Sequence, residues 1–122
     1  MAGKKILFVD DSRTVLCVLR TYLMGSDYEY LVATNGKEGL KTALREQPDL
    51  VISDIQMPGI SGMDLCKTLR SAPGLRRSKL VLMSSKWTDE RQAEANSIGV
   101  DRCLQKPVSP EDLVDLVREL LV

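Results

Sequence analysis

"LVISDIQMPGISG", Leu50 to Gly62, carries the pattern that decides the fold. A short run of apolar or small residues, Leu50 to Ser53, leads into Asp54. A Met-Pro-Gly turn follows, then Ser61, a residue suited to start a helix. An apolar run of this length bounded by turn signals reads as a strand buried on both faces. The unit is strand, turn, helix, with a carboxylate at the strand's end. By itself Asp54 would serve as a helix cap or turn former. Its meaning depends on what the other strand ends bring beside it.

The same unit recurs along the chain. "KILFVD" (Lys5 to Asp10) reads as a strand, and Val15, Leu16, Leu19, Tyr22 and Leu23 follow on one helix face, with Asp11 or Ser12 as N-cap and Gly25 as the end. "YEYLVAT" (Tyr28 to Thr34) is a second strand. "NGKEGLKTALREQ" (Asn35 to Gln47) is a helix presenting Leu40, Ala43 and Leu44, closed by Pro48. After the third strand, Leu65, Cys66 and Leu69 share a helix face that "SAPG" (Ser71 to Gly74) breaks. "KLVLMSS" (Lys79 to Ser85) is a fourth strand, Asp89 to Ile98 a weaker helix ending at Gly99, and "DRCLQK" (Asp101 to Lys106) a less apolar fifth strand. Ser109 caps a last helix with Pro110 at its first position, Glu111 and Asp112 in its first turn, and Leu113, Leu116, Val117 and Leu120 as its apolar face.

Strands alternating with helices imply right-handed crossovers and a parallel sheet covered on both faces. The expected class is α/β: a doubly wound five-stranded parallel sheet, flavodoxin-like, in the order 2-1-3-4-5. Its site lies outside the carboxyl ends of the strands, between the first and third. The 122 residues fit one domain. Lys plus Arg and Asp plus Glu both total 17, so no global field draws the chain to nucleic acid or membrane, and "LRRSK" (Leu75 to Lys79) reads as a solvated loop. Cys17, Cys66 and Cys103 lack metal-type spacing and read as small apolar fillers in a reducing cytosol. The start "MAGKK" lacks the apolar core of a signal peptide. There is no histidine, which excludes a Ser-His triad, a His-ligated metal and a phosphohistidine on this chain.

Read together, the strand ends converge. The first ends in Asp10-Asp11, the third in Asp54, the fourth in Ser84-Ser85 and the fifth in Lys106-Pro107. Three acids in one crevice raise one another's pKa unless a cation neutralises them. Oxygen donors without histidine or cysteine suit a hard cation, and Mg2+ is held by one or two carboxylates, waters and a phosphate oxygen. A carboxylate beside such an ion is a competent nucleophile toward phosphorus. Lys106 and Ser84 then serve the oxygens of the transferred group. On this reading Asp54 is a phosphoryl acceptor.

"FVDDS" (Phe8 to Ser12), "DIQMPGISG" (Asp54 to Gly62), "VLMSS" (Val81 to Ser85) and "QKP" (Gln105 to Pro107), in that order and at those strand ends, resemble the receiver domain of two-component response regulators, of the single-domain, chemotaxis-regulator-like kind. The resemblance extends over residues 1–122. It implies that Asp54 takes a phosphoryl group from the phosphohistidine of a sensor histidine kinase or a histidine phosphotransfer protein. It implies that Asp11 binds Mg2+ directly, that Asp10 acts through water, and that Asp54 and the backbone carbonyl of Gln56 complete the set. Lys106 then pairs with the phosphoryl group, Ser84 is the switch hydroxyl, and the Lys106-Pro107 bond is cis. The chemistry implied is transfer to the chain itself and later hydrolysis, not turnover of a separate substrate. A downstream protein partner reads the last two helices, in a cytoplasmic chain that is a monomer or weak activation-linked dimer with no membrane or direct nucleic-acid contact.

Some positions depart from the family. Cys103 stands where the family commonly has an aromatic residue that follows the switch hydroxyl inward, and a cysteine cannot sweep out that volume. Trp87, in the loop after the fourth strand, is a candidate to respond to the switch or touch a partner, or else a half-buried ring packed on the fourth helix. Gln56 and Lys86 occupy positions that tune phosphoryl lifetime in the family. Ser84 rather than Ser85 as the switch rests on the register of the fourth strand. Ser61 reads as a cap, and Gly59 and Gly62 as turn residues without chemistry.

Rival functions fit less well. A flavodoxin-type carrier needs a Ser/Thr/Gly phosphate loop where Asp10 and Asp11 stand. A haloacid-dehalogenase-type phosphatase needs a D-x-D pattern on the first strand. A receiver fold used for protein binding without phosphorylation is the remaining alternative. The chain reads as a stand-alone regulator or as the amino-terminal piece of a longer one.

Overall fold

The computed structural model describes residues 3–122; Met1 and Ala2, part of the start read above, lie outside the described residues. The elements are β1 (Lys4–Val9), α1 (Arg13–Tyr22), β2 (Tyr28–Ala33), α2 (Gly36–Glu46), β3 (Leu50–Asp54), α3 (Gly62–Ser71), β4 (Lys79–Ser84), α4 (Asp89–Ile98), β5 (Arg102–Gln105) and α5 (Pro110–Leu120). A 3-10 turn, Pro73–Leu75, follows α3. All strands are parallel, in the expected order β2-β1-β3-β4-β5.

The unbroken apolar runs have a simple cause. Successive side chains of a strand point to opposite faces, so a strand covered on both sides is apolar throughout. Leu7, Val9, Val51, Leu80 and Leu82 form one face with Ala43, Leu65, Cys66, Leu69 and Ala95 from α2, α3 and α4. Ile6, Phe8, Leu50, Ile52, Val81 and Met83 form the other with Leu16, Leu19, Leu113 and Val117 from α1 and α5. Burying each large aliphatic side chain contributes about 1.5–3 kcal/mol.

Each helix starts at a capping side chain. Ser12, Asn35, Ser61, Thr88 and Ser109 each accept the N–H three residues on. The cap of α1 is thus Ser12, and Asp11 is left exposed. The cap at the other end of α1 is Leu23, with Gly25, at φ 89°, in the turn beyond.

Two expectations need correction. Leu44 is 51% exposed and does not face the core. The buried side of α2 is Gly36, Gly39, Thr42 and Ala43, with Leu40 partly buried. A Cβ on Gly39 would lie 3.0 Å from a methyl of Val9, so α2 approaches the sheet through glycine and turns Leu44 outward. Cys17 is exposed, not a core filler; Cys66 is buried and Cys103 half-buried. The weak pattern of α4 is matched by its packing, with Ala95 its buried residue.

Candidate functional site

Asp10 follows β1 directly and Asp54 is the last residue of β3, so the sheet delivers both carboxylates to one edge. Asp10, Asp11 and Asp54 each bring a carboxylate oxygen within 4.8 Å of the others. Asp10 is wholly buried and Asp54 nearly so, whereas Asp11 is exposed. Both oxygens of Asp10 are engaged: the Ser12 N–H donates to Oδ1 at 2.9 Å and Lys106 Nζ to Oδ2 at 2.9 Å. Lys106 Nζ also lies 3.3 Å from Asp54 Oδ2. Its backbone is set by the last rung beside β4, where the Lys106 N–H donates to the Ser84 carbonyl at 2.9 Å. The Lys106-Pro107 peptide is cis.

Burial pushes the Asp54 carboxyl above its ordinary value; Lys106 pulls it down, Asp10 adds to the rise, and the Gln56 amide lowers it. Burial works to lower the Lys106 ammonium, but its hydrogen bond and charge interaction with Asp10, and then Asp54, outweigh burial and hold it above the usual lysine value. Three carboxylates against one ammonium leave two negative charges uncompensated, three minus one. An all-oxygen donor set with that excess fits a divalent hard cation such as Mg2+. Asp11 and Asp54 could touch it directly. Asp10, with both oxygens occupied, suits a water-bridged part.

Ser84, at the end of β4, is 3% exposed, and Ser85 is exposed. Register therefore puts Ser84, not Ser85, on the inner side. Its hydroxyl donates to the Lys86 carbonyl and accepts the Lys86 N–H, both at 3.1 Å. Gln56 is exposed at the start of the loop after Asp54. Trp87 is half-buried against the cluster that holds Ala95 and Cys103, and its indole N–H donates to the Leu104 carbonyl at 2.8 Å. Cys103 Sγ accepts from Gln92 Nε2 at 3.4 Å. The site-edge residues Asp10, Asp11, Asp54 and Lys106 are thus together, while Trp87 and Cys103 both pack against the core cluster that includes Ala95 of α4.

One residue escaped the sequence reading. Arg91 Nη1 donates to the Lys86 carbonyl at 2.7 Å and to Ser84 Oγ at 3.3 Å. The available signal was its place in the first turn of a helix capped by Thr88, since side chains there tilt back over the preceding loop. Arg91 also walls a cleft of about 550 Å³ with Ile55, Gln56, Met57, Pro58 and Ser61 of the loop that follows β3.

Residues 6–118 match the family model of the response regulator receiver domain. The chain is 31% identical over 119 residues to the alkaline phosphatase synthesis transcriptional regulatory protein PhoP of Bacillus subtilis, covering 98% of this chain and 49% of that protein. It is 37% identical over 117 residues to the response regulator MprA of Mycobacterium leprae, covering 96% and 50%. The chain spans about half the length of these curated relatives. Among solved structures, the chemotaxis protein CheY4 of Vibrio cholerae superposes with a TM-score of 0.91 at 28% identity, over 98% of this chain and 99% of that one. A CheY-like receiver domain protein of Methanospirillum hungatei superposes with a TM-score of 0.91 at 28% identity, over 98% and 94%. The acids and lysine at the sheet's edge are therefore met in the fold that the family model describes, and the chain belongs to the receiver domain family of response regulators.

Proposed function

We propose that this chain, as one domain over residues 1–122, is a phosphoryl-acceptor switch. Asp54 accepts a phosphoryl group in a Mg2+-dependent step, and the acyl phosphate alters what the chain binds until it hydrolyses. The observation that carries this reading is Lys106, whose ammonium stands 2.9 Å from Asp10 and 3.3 Å from Asp54. The family's domain is a phosphoacceptor switch, which supports the same reading.

Mg2+, when bound, supplies charge neutralisation between the attacking carboxylate and the phosphoryl oxygens. The ionised Asp54 attacks phosphorus with a carboxylate lone pair. The bond from phosphorus to the donor's imidazole nitrogen breaks, and its electron pair stays on that nitrogen. Lys106 moves little to meet a phosphoryl oxygen, because it already lies against Asp54. Asp10 keeps the ammonium charged and oriented. Ser84 turns its hydroxyl from the Lys86 carbonyl to a phosphoryl oxygen, and the loop bearing Lys86 and Trp87 follows. Later attack of water on phosphorus breaks the bond from phosphorus to the carboxylate oxygen, releasing inorganic phosphate and returning the free carboxylate, so the chain acts on itself.

The donor is a sensor histidine kinase or histidine phosphotransfer protein, which membership of the receiver family supports; none of these 122 residues is a histidine that could serve instead. The reader is a downstream protein at α4, β5 and α5, and the balanced charge gives no support to a nucleic-acid partner for this domain. Free cysteines support a cytoplasmic setting, and among the described residues no helix is long and apolar enough to cross a membrane.

Intact-protein mass after incubation with acetyl phosphate tests this. A single phosphoryl addition that requires Mg2+ and is absent from Asp54→Asn is expected. No addition from acetyl phosphate or from a phosphohistidine donor, in a folded chain that binds Mg2+, would favour binding without phosphorylation.

A further inference from the structure

Arg91 ties the loop after β4 to the first turn of α4. It donates through Nη1 to the Lys86 carbonyl at 2.7 Å and to Ser84 Oγ at 3.3 Å. The Ser84 hydroxyl donates to that same carbonyl, and the Lys86 N–H donates back to the hydroxyl. The hydroxyl is thereby closed into a ring of contacts within its own loop. Local structure causes the reach. Thr88 caps α4 by accepting the Arg91 N–H at 3.1 Å, and a side chain in the first turn leans toward the helix N-terminus, over that loop. Among the described residues no carboxylate forms an ion pair with Arg91; its Nη1 contacts are two oxygens of one loop.

We infer that Arg91 is a positioning residue for the switch. It holds the Ser84 hydroxyl against its own loop while Asp54 is unmodified, and so sets how readily that hydroxyl is given up to a phosphoryl oxygen. The inference rests on the phosphoryl-acceptor reading above. A contact present in one state and absent from the other biases their equilibrium by its own free energy. Arg91 acts through Ser84 and needs no contact with the reacting atoms. Arg91 also faces Ile55 and Gln56, the residues that follow Asp54, across the cleft they line together.

The test is a double-mutant cycle read by calorimetry, with fluoroberyllate and Mg2+ as the acyl-phosphate mimic. The chains are wild type, Arg91→Ala, Ser84→Ala and the double variant, with Arg91→Gln as a second replacement and circular dichroism to confirm folding. Alanine favours helix at this position, so folding is expected to survive. Arg91→Ala is expected to bind fluoroberyllate about three- to tenfold tighter than wild type. In the Ser84→Ala background the same replacement is expected to change affinity less than about twofold, which a general structural role would not produce. Unchanged or weaker binding by Arg91→Ala and Arg91→Gln, or an equal gain in both backgrounds, overturns the role. If the wild-type chain binds no fluoroberyllate in the presence of Mg2+, the phosphoryl-acceptor reading itself fails and the role of Arg91 falls with it.

Discussion

Asp54 is held in a surrounding that works against its own charge. Burial and Asp10 raise its carboxyl, and Lys106 and the Gln56 amide offset only part of that rise. The sign of the pH effect follows. The folded chain keeps the Asp54 proton to higher pH than the unfolded chain, so stability falls as pH rises through the window just above the ordinary value of 3.8. Asp54→Asn removes this loss. Without Mg2+, the variant is expected to unfold at a higher temperature than wild type at neutral pH, with the gap closing as pH falls toward 3.8. Thermal scans across pH in chelator check it, and a pH-independent gap would contradict the cause given. Asp10, Asp11, Asp54, Ser84 and Lys106 were legible because each stands at a strand end. Arg91 was not, because its place in a first helical turn says only that it leans toward the preceding loop, not which atoms of that loop it meets.

At the scale of elements, close approaches decide what periodicity cannot. Gly62 opens α3, and its N–H donates to the Ile55 carbonyl at 2.9 Å. A Cβ there would run into the backbone carbonyl of Asp54, so the turn after β3 closes only around a glycine. Gly62→Ala is expected to cost about 2–4 kcal/mol in urea denaturation, of the order of overpacking against rigid backbone, and to slow Asp54 modification. A loss below about 0.5 kcal/mol, the size of an ordinary surface change, would show that the turn has slack. Gly62 is a turn residue, as its place in the sequence suggests, and the close backbone approach to Asp54 is what requires it. On α2 a leucine at helical spacing looked core-facing, yet Gly36 and Gly39 let the helix settle on another side. Which stripe of a helix is buried depends on how near its backbone comes to the sheet. Spacing does not report that.

Over the whole molecule, the two uncompensated negative charges at the sheet's edge make folding and cation binding interdependent. An ion that binds only the folded chain stabilises it by about 2.7 kcal/mol at a hundredfold excess over its Kd, or roughly 10 °C in Tm for a domain of this size. Mg2+ is expected to raise Tm by that order, while NaCl at equal ionic strength does not, and Asp11→Asn is expected to blunt the rise. Differential scanning calorimetry checks it; a response to Mg2+ identical in the variant would take Asp11 out of the site. The sequence by itself determined the five strand-helix units, the caps of α3 and α5 and the parallel sheet, because apolar period, turn residues and caps are local properties of the chain. It also determined which acids and which lysine stand at strand ends. Only the tertiary structure decided that Lys106 bridges Asp10 and Asp54, that Ser84 is the inward serine, that Trp87 is pinned to β5, and that Arg91 reaches Ser84. Those contacts join segments whose separation in space is set by sheet register and close packing, and neither is written in the spacing of residues along the chain.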